Sequence, residues 1–287
     1  MGAIYIKEIK SYFHSIVGYI FVALLLALAG LYHYVYNYSA GYSSYAYTLD
    51  GVMILFVLLI PMLTMRIMAE ESKQKTDQLL YTSPVSVPKV VLGKYFAMSS
   101  LLIGTCAILA VQPVVLNTFG NVNMPASYIS LLGFLLLGMS YLAIGMFISS
   151  LTENQIIAGV VTFFIILFSI FAPSIIYLFE TDAETALIVF SVVIVILCII
   201  TWIVMRNFLI SALFFILAEG GMAVFYMVKP EAFEGSIEKV FDWFSVMDRF
   251  DSFFCGILSL SDIVYYVSLI VVFVFLSIQS VEKRRWN

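Results

Sequence analysis

About eight long apolar runs divide the chain, at 16–36, 49–68, 91–116, 127–150, 155–179, 187–205, 207–228 and 263–281. Each approaches the roughly 20 residues a helix needs to cross the hydrocarbon of a bilayer. They are unbroken, without the period-two alternation of barrel strands. In hydrocarbon every backbone N–H and C=O has to be bonded within the protein, and an unbroken apolar run satisfies that as a helix. The expected fold is an all-α polytopic membrane protein, with residues 1–287 forming one transmembrane domain. Charged residues make up 11% of the 287 and hydrophobic ones 63%, against about one quarter charged in soluble domains. Because 187–205 and 207–228 are nearly continuous, six to eight spans are expected, one pair being re-entrant at the lower count. The first run follows Lys7 and Lys10 and contains Ala27-Leu28-Ala29, which fits a signal-cleavage pattern. The apolar run continues to Tyr36, so it reads as an uncleaved first span.

Charge placement sets the expected orientation. With eight spans, one face carries Lys7, Lys10, Arg66, Lys73, Lys75, Lys89, Lys94, Arg206, Lys283, Arg284 and Arg285, which is 11 of the 14 basic residues. The other face keeps Lys229, Lys239 and Arg249 beside 11 acids, among them Asp50, Glu180, Glu231, Asp248, Asp251 and Asp262. Basic residues accumulate in cytoplasmic loops, so both termini and the polar stretch at 69–90 are expected in the cytoplasm. An odd number of spans would carry EKRRW at 282–286 outside and spoil the asymmetry.

Several features are candidates for function. Residues 4–14 space Ile6, Ile9 and Phe13 along one helical face, with Lys7, Lys10 and His14 elsewhere, as in an amphipathic interface helix spanning about 1–15. Seven tyrosines fall between 32 and 47; they read either as an aromatic belt at the headgroup level or as a stacking surface for an aromatic or glycosidic cargo. The segment 229–262 repeats Phe233, Ile237, Phe241, Phe244 and Met247 at helical spacing, with Glu234, Glu238, Asp242 and Asp248 elsewhere. It is expected to be an extracytoplasmic amphipathic segment that gates an exit or packs as a lid. Glu219 lies inside an apolar run, where a carboxylate is costly and defaults to a functional role; the alternative is a hydrogen-bonded glutamate beside Gly220 and Gly221. Met62, Met65 and Met68 read as packing. Cys106, Cys198 and Cys255 suggest neither a disulfide framework nor a zinc site, and no metal site is expected. The sequence contains no G-x-x-x-x-G-K-[ST] and no H-E-x-x-H, so no catalytic residue is assigned, and no cofactor is expected in this chain.

The polar stretch 68–94, MAEESKQKTDQLLYTSPVSVPKVVLGK, divides in two. Residues 70–83 can form a short helix with Leu79 and Leu80 on one side, ended before Pro84 because proline disfavours helix in the residue preceding it. Residues 84–90 then turn into the next span. PMLTMRIMAEESKQKTDQLLYTSPVSVPKVVLGKY resembles the second span and coupling helix of ABC-2-type transporter permeases, most of all their gliding-motility-type branch. KEIKSYFHSIVGYI at 7–20, AIGMFISSLTENQIIAG at 143–159 and YYVSLIVVFVFLSIQSVEKRRW at 265–286 resemble the same family.

That resemblance implies a type V exporter-like permease in the cytoplasmic membrane of a prokaryote. It would pair with a second permease as a homo- or heterodimer, without nucleic-acid partners, and beside a membrane-anchored extracytoplasmic companion protein. ATP and Mg would be bound by a separate ABC ATP-binding subunit docking on the coupling helix, a role carried to Glu70, Glu71, Lys73, Thr76, Asp77, Leu79 and Leu80. Lys7 and Lys10 would belong to the family's interface helix. The implied function is ATP-driven export or extrusion. The alternatives are a mechanotransmission complex, which passes ATP-driven force to an outer-face partner without moving a solute, and an ion-coupled carrier using Glu219. Replacing Leu79 and Leu80 with aspartate is expected to abolish co-purification of an ATP-binding subunit and permease-dependent ATP turnover. Unchanged association would remove the coupling-helix role.

Overall fold

The computed structural model of the chain describes residues 1–75, 85–176, 182–205, 208–229, 233, 235–236 and 245–286. Among these, the regular elements are all helical. Thr76, Asp77, Leu79 and Leu80 lie outside the described residues, as do Glu180, Arg206, Glu231, Glu234, Ile237, Glu238, Lys239, Phe241, Asp242 and Phe244.

An amphipathic helix α1 (Gly2–His14) leads into α2 (Ile16–Tyr32), which continues as a π-helical turn over His33–Ser39. Two short helices follow, α3 (Ala46–Met53) and α4 (Phe56–Thr64), and then α5 (Ala69–Lys73). After the polar stretch come α6 (Val87–Leu109), α7 (Val111–Asn117), α8 (Met124–Leu151) and α9 (Gln155–Ile176). Helices α10 (Ala183–Met205) and α11 (Phe208–Val228) precede a short α12 (Phe250–Phe254) and the last helix, α13 (Leu260–Trp286).

Five helical stretches among the described residues are long and apolar enough to cross a membrane: Ile16–Ser39, Val87–Asn117, Met124–Leu151, Gln155–Ala172 and Leu260–Arg284. Ala46–Met53 and Phe56–Lys73 form a bent pair, at 58°, that is apolar enough to count as a sixth crossing if it is one broken span rather than a re-entrant loop. Pro61 lies in the second half of that bend; it has no N–H to return to the Val57 carbonyl, so the helix there lacks one of its own bonds. The runs expected at 187–205 and 207–228 fall in α10 and α11, helices of 23 and 21 residues.

The chain divides into two units, 1–170 with 246–287, and 171–245. In the smaller unit α10 packs against α11. There the Phe233 ring sits among Phe190, Phe225 and Tyr226.

The larger unit is organised around α8, which packs against α3, α4, α6, α7, α12 and α13. Its start is set by Asn123, whose side chain accepts a hydrogen bond from the Ala126 N–H, the usual service of an N-cap residue. Small residues let so many neighbours approach. Helices in lipid gain little from apolar burial against one another, so close packing and interhelical hydrogen bonds hold them together. A Cβ added at Gly133 would lie 2.5 Å from the Phe253 side chain, and one at Gly145 would overlap Thr64. The hydroxyls of the same helix bridge outward: Ser130 Oγ donates to the Phe253 carbonyl at 2.7 Å, and Ser140 Oγ to the Tyr266 carbonyl at 3.4 Å. Tyr95 donates to the Met139 carbonyl at 3.1 Å, and Tyr141 pairs with Ser169 at 3.1 Å. Each such bond contributes roughly 0.6 kcal/mol in a membrane setting.

Residues 246–262, part of the described end of the expected outer segment, belong to this unit and pack within it. Phe250 and Phe253 are buried, and Tyr266 donates to the Val246 carbonyl at 2.9 Å.

Gly133→Ala is expected to destabilise the chain by about 1–3 kcal/mol through overpacking against Phe253. Gly30→Ala meets nothing within 4 Å and is expected to be neutral or slightly stabilising, since alanine is the better helix former. Thermal unfolding in detergent separates the two.

Candidate functional site

The charged residues of α1, of the stretch 66–74, of α6 and of the end of α13 meet at one end of the larger unit. Lys94, three residues into an apolar run and 1% exposed, is the centre. Its ammonium has three N–H donors and three acceptors: Glu71 Oε2 at 2.8 Å, Glu8 Oε1 at 3.2 Å and the Ile67 carbonyl at 2.7 Å. Lys7 completes the group, 3.1 Å from Glu71 Oε1 and 3.8 Å from Glu8 Oε1. Two lysines and two glutamates thereby balance in a largely buried site. Burial pulls the Lys7 ammonium down, but the Glu71 charge and hydrogen bond, with help from Glu8, raise it above the usual lysine value.

The backbone of 65–69 is held as closely. Ser149 of α8 accepts hydrogen bonds from the Met68 and Ala69 N–H groups at 3.2 and 3.1 Å, and donates to the Met65 carbonyl at 3.2 Å. One hydroxyl thus uses its donor and two acceptor positions on the entry to α5, a helix that would otherwise begin with bare N–H groups. Arg66 pairs with Glu70 at 3.0 Å, and Gln74 donates to the same carboxylate at 3.3 Å. Arg284, near the end of α13, donates to Ser72 Oγ at 2.6 Å. A cavity of about 280 Å³ opens among Lys7, Tyr12, Arg66, Glu70, Glu71 and Lys94.

Of the residues expected to couple, Glu70 and Glu71 are turned toward the chain's own cations, and Lys73 is exposed. Of the helix expected over 70–83, the described part is α5, Ala69–Lys73, followed by Lys75 in a left-handed backbone at φ 55°; residues 76–83 lie outside the described residues.

Helix α1 presents two distinct faces. Ile6 and Phe13 are exposed, whereas Glu8 and Tyr12 are buried, and Tyr12 donates to the Leu63 carbonyl at 3.3 Å. The polar stripe faces the protein because Lys94 needs acceptors there, leaving the apolar stripe for the surroundings. Lys7 joins the cluster and Lys10 is exposed. Glu219 is placed apart, in the smaller unit, where it accepts a hydrogen bond from Ser191 at 3.2 Å. Among the described residues, no group of three or more His, Cys, Asp and Glu is arranged to hold a metal ion.

Glu8, Lys94, Ser149 and Arg284 were not singled out by the sequence pattern. The available signal was Lys94 itself: a cation inside an apolar run demands partners, and Glu8 is an acid in an otherwise basic helix. Ser149 had no such signal, because small hydroxyl residues are common on membrane helices.

A family model described as an ABC-2 family transporter protein matches residues 25–228, well over half of the chain. No curated protein and no solved structure matches it.

Removing Lys94 leaves Glu8 and Glu71 with Lys7 alone between them in a largely buried site, and breaking a buried ion pair typically costs about 3–5 kcal/mol. Lys94→Met is therefore expected to lower the thermal midpoint sharply. Adding Glu8→Gln and Glu71→Gln should restore much of the loss. A triple variant no more stable than Lys94→Met would show that the carboxylates do not depend on Lys94.

Proposed function

The chain belongs to the ABC-2 transporter family, and from that premise we propose that it is an export permease driven through the segment 69–84 by a separate ATP-binding subunit. A permease of this family is the membrane component of an ABC transporter, and it works with an ABC ATP-binding subunit rather than hydrolysing ATP itself. Export as the direction, pairing with a second permease and placement of this end in the cytoplasm are the finer parts of the proposal. The basic bias of this end supports that placement, with Lys7, Arg66, Lys94 and Arg284 gathered there.

The observation that carries the proposal is the way residues 65–73 are tied down. Ser149 binds them to α8, Lys94 to α6 and α1, and Arg284 to α13. A push on the 69–75 segment is thereby shared among four helices instead of being absorbed by a loose loop. Nucleotide supplies energy only by binding one arrangement of the complex better than the other, so a stiff connection between the docking segment and the spans is a physical requirement of coupling.

A variant with the native cysteines replaced and Lys73→Cys added is expected to cross-link to the co-purifying ATP-binding subunit. Ser149→Val, which removes the clamp but not the segment, should retain association and reduce permease-stimulated ATP turnover by at least about fivefold, the low end of common coupling strengths. Absence of any associated ATP-binding subunit would overturn the proposal. Full stimulation in Ser149→Val would overturn the role of the clamp.

A further inference from the structure

A second cavity, of about 360 Å³, lies where α1 meets α2 and α6, lined by Ile9, Phe13, Val22, Leu101, Gly104 and Ile108 together with Ser100 and Thr105. The two hydroxyls in its wall are already committed. Ser100 donates to the Ala97 carbonyl and Thr105 to the Leu101 carbonyl, each at 2.8 Å. To an occupant the wall is therefore hydrocarbon. Gly104 keeps it open, because a Cβ there would meet nothing within 4 Å. The groove is bounded by two helices of span length, α2 and α6, and by the helix that crosses their end. An occupant reaching it from the membrane would be a chain of CH₂ groups, each contributing to binding as it leaves a polar phase.

Charge selects the head of that occupant. Lys10 follows Ile9 and lies three residues before Phe13, so it stands beside the groove-lining face on the same helix. Lys7, Lys94, Arg66 and Arg249 have acidic partners; Lys10 is exposed and pairs with no acid among the described residues. An exposed ammonium on the helix that supplies Ile9 and Phe13 to a hydrocarbon groove matches an anionic headgroup above acyl chains. We infer that the groove between α1, α2 and α6 binds an anionic phospholipid, with an acyl chain along Gly104 and the phosphate at Lys10. This site is separate from the ion cluster at Lys94, and its test needs no ATP-binding subunit, so its failure would leave the coupling proposal untouched.

The full chain in detergent, offered phosphatidylglycerol or phosphatidylcholine with the same acyl chains, reads this out by native mass spectrometry. The wild type should retain phosphatidylglycerol in preference. Lys10→Gln should weaken that preference about fivefold, the contribution of one near-surface lysine, while still retaining lipid. Gly104→Phe, which fills the groove, should lose both lipids with an unchanged thermal midpoint. If that variant is destabilised, Val22→Phe from the opposite wall provides the same readout. Undiminished lipid in the filled variants would overturn the site, and an unchanged preference in Lys10→Gln would overturn the headgroup contact. Loss of a dimer mass rather than of lipid on filling would assign the groove to a second copy of the chain and also overturn the inference.

Discussion

An ammonium with no access to water has to find three acceptors, and Lys94 finds them on three separate parts of the chain. Glu8 comes from α1, Glu71 from α5, and the Ile67 carbonyl from the backbone between α4 and α5. A cation placed in an apolar setting without partners costs several kcal/mol, so these elements cannot shift independently. The position of α1 across the end of the bundle follows from this, as does the inward turn of its polar stripe. Its apolar residues Ile6 and Phe13 are left facing outward. The groove beside α6 exists because α1 is held in this position.

Helix α8 supplies the complementary constraint. Its glycines bring Phe253 and Thr64 into contact with its backbone, and its serines bond to carbonyls of other elements. Ser149 joins the two constraints, since it is part of α8 and holds the backbone that presents Glu71. A bundle built on small residues and hydroxyl bridges is closely packed without a large apolar driving force between its helices. It can therefore transmit displacement at its ionic end to its opposite end, where residues 246–262 are bonded to α8 and α13.

Much of the fold was legible in residue order. Hydrocarbon thickness and the need to satisfy the backbone internally make long apolar runs into helices, and each of the eight runs is largely helical over its described residues, the run 49–68 being broken by turns at 54–55 and 65–68. The broken helix at 46–73 was not legible, because an apolar run has the same composition whether or not it bends. Which residues of α1 meet protein was not legible for a related reason: amphipathicity identifies two faces, and only the neighbours decide which one meets protein. The buried tyrosine hydroxyl of Tyr12, bonded to the Leu63 carbonyl, shows the outcome in one residue.

The candidate site divides in the same way. The order of residues by itself determined the membrane class, the helical character of the apolar runs and the resemblance to ABC-2 permeases, which the family match bears out. These depend on local composition and spacing, which are properties of the chain before it folds. Tertiary structure alone decided that Glu71 is bound by Lys94 and Lys7, that Ser149 seats the start of α5, and that Arg284 reaches Ser72 across 212 residues of chain. Such pairings join residues far apart in sequence, and only the packing of helices selects which of many possible charges and hydroxyls meet.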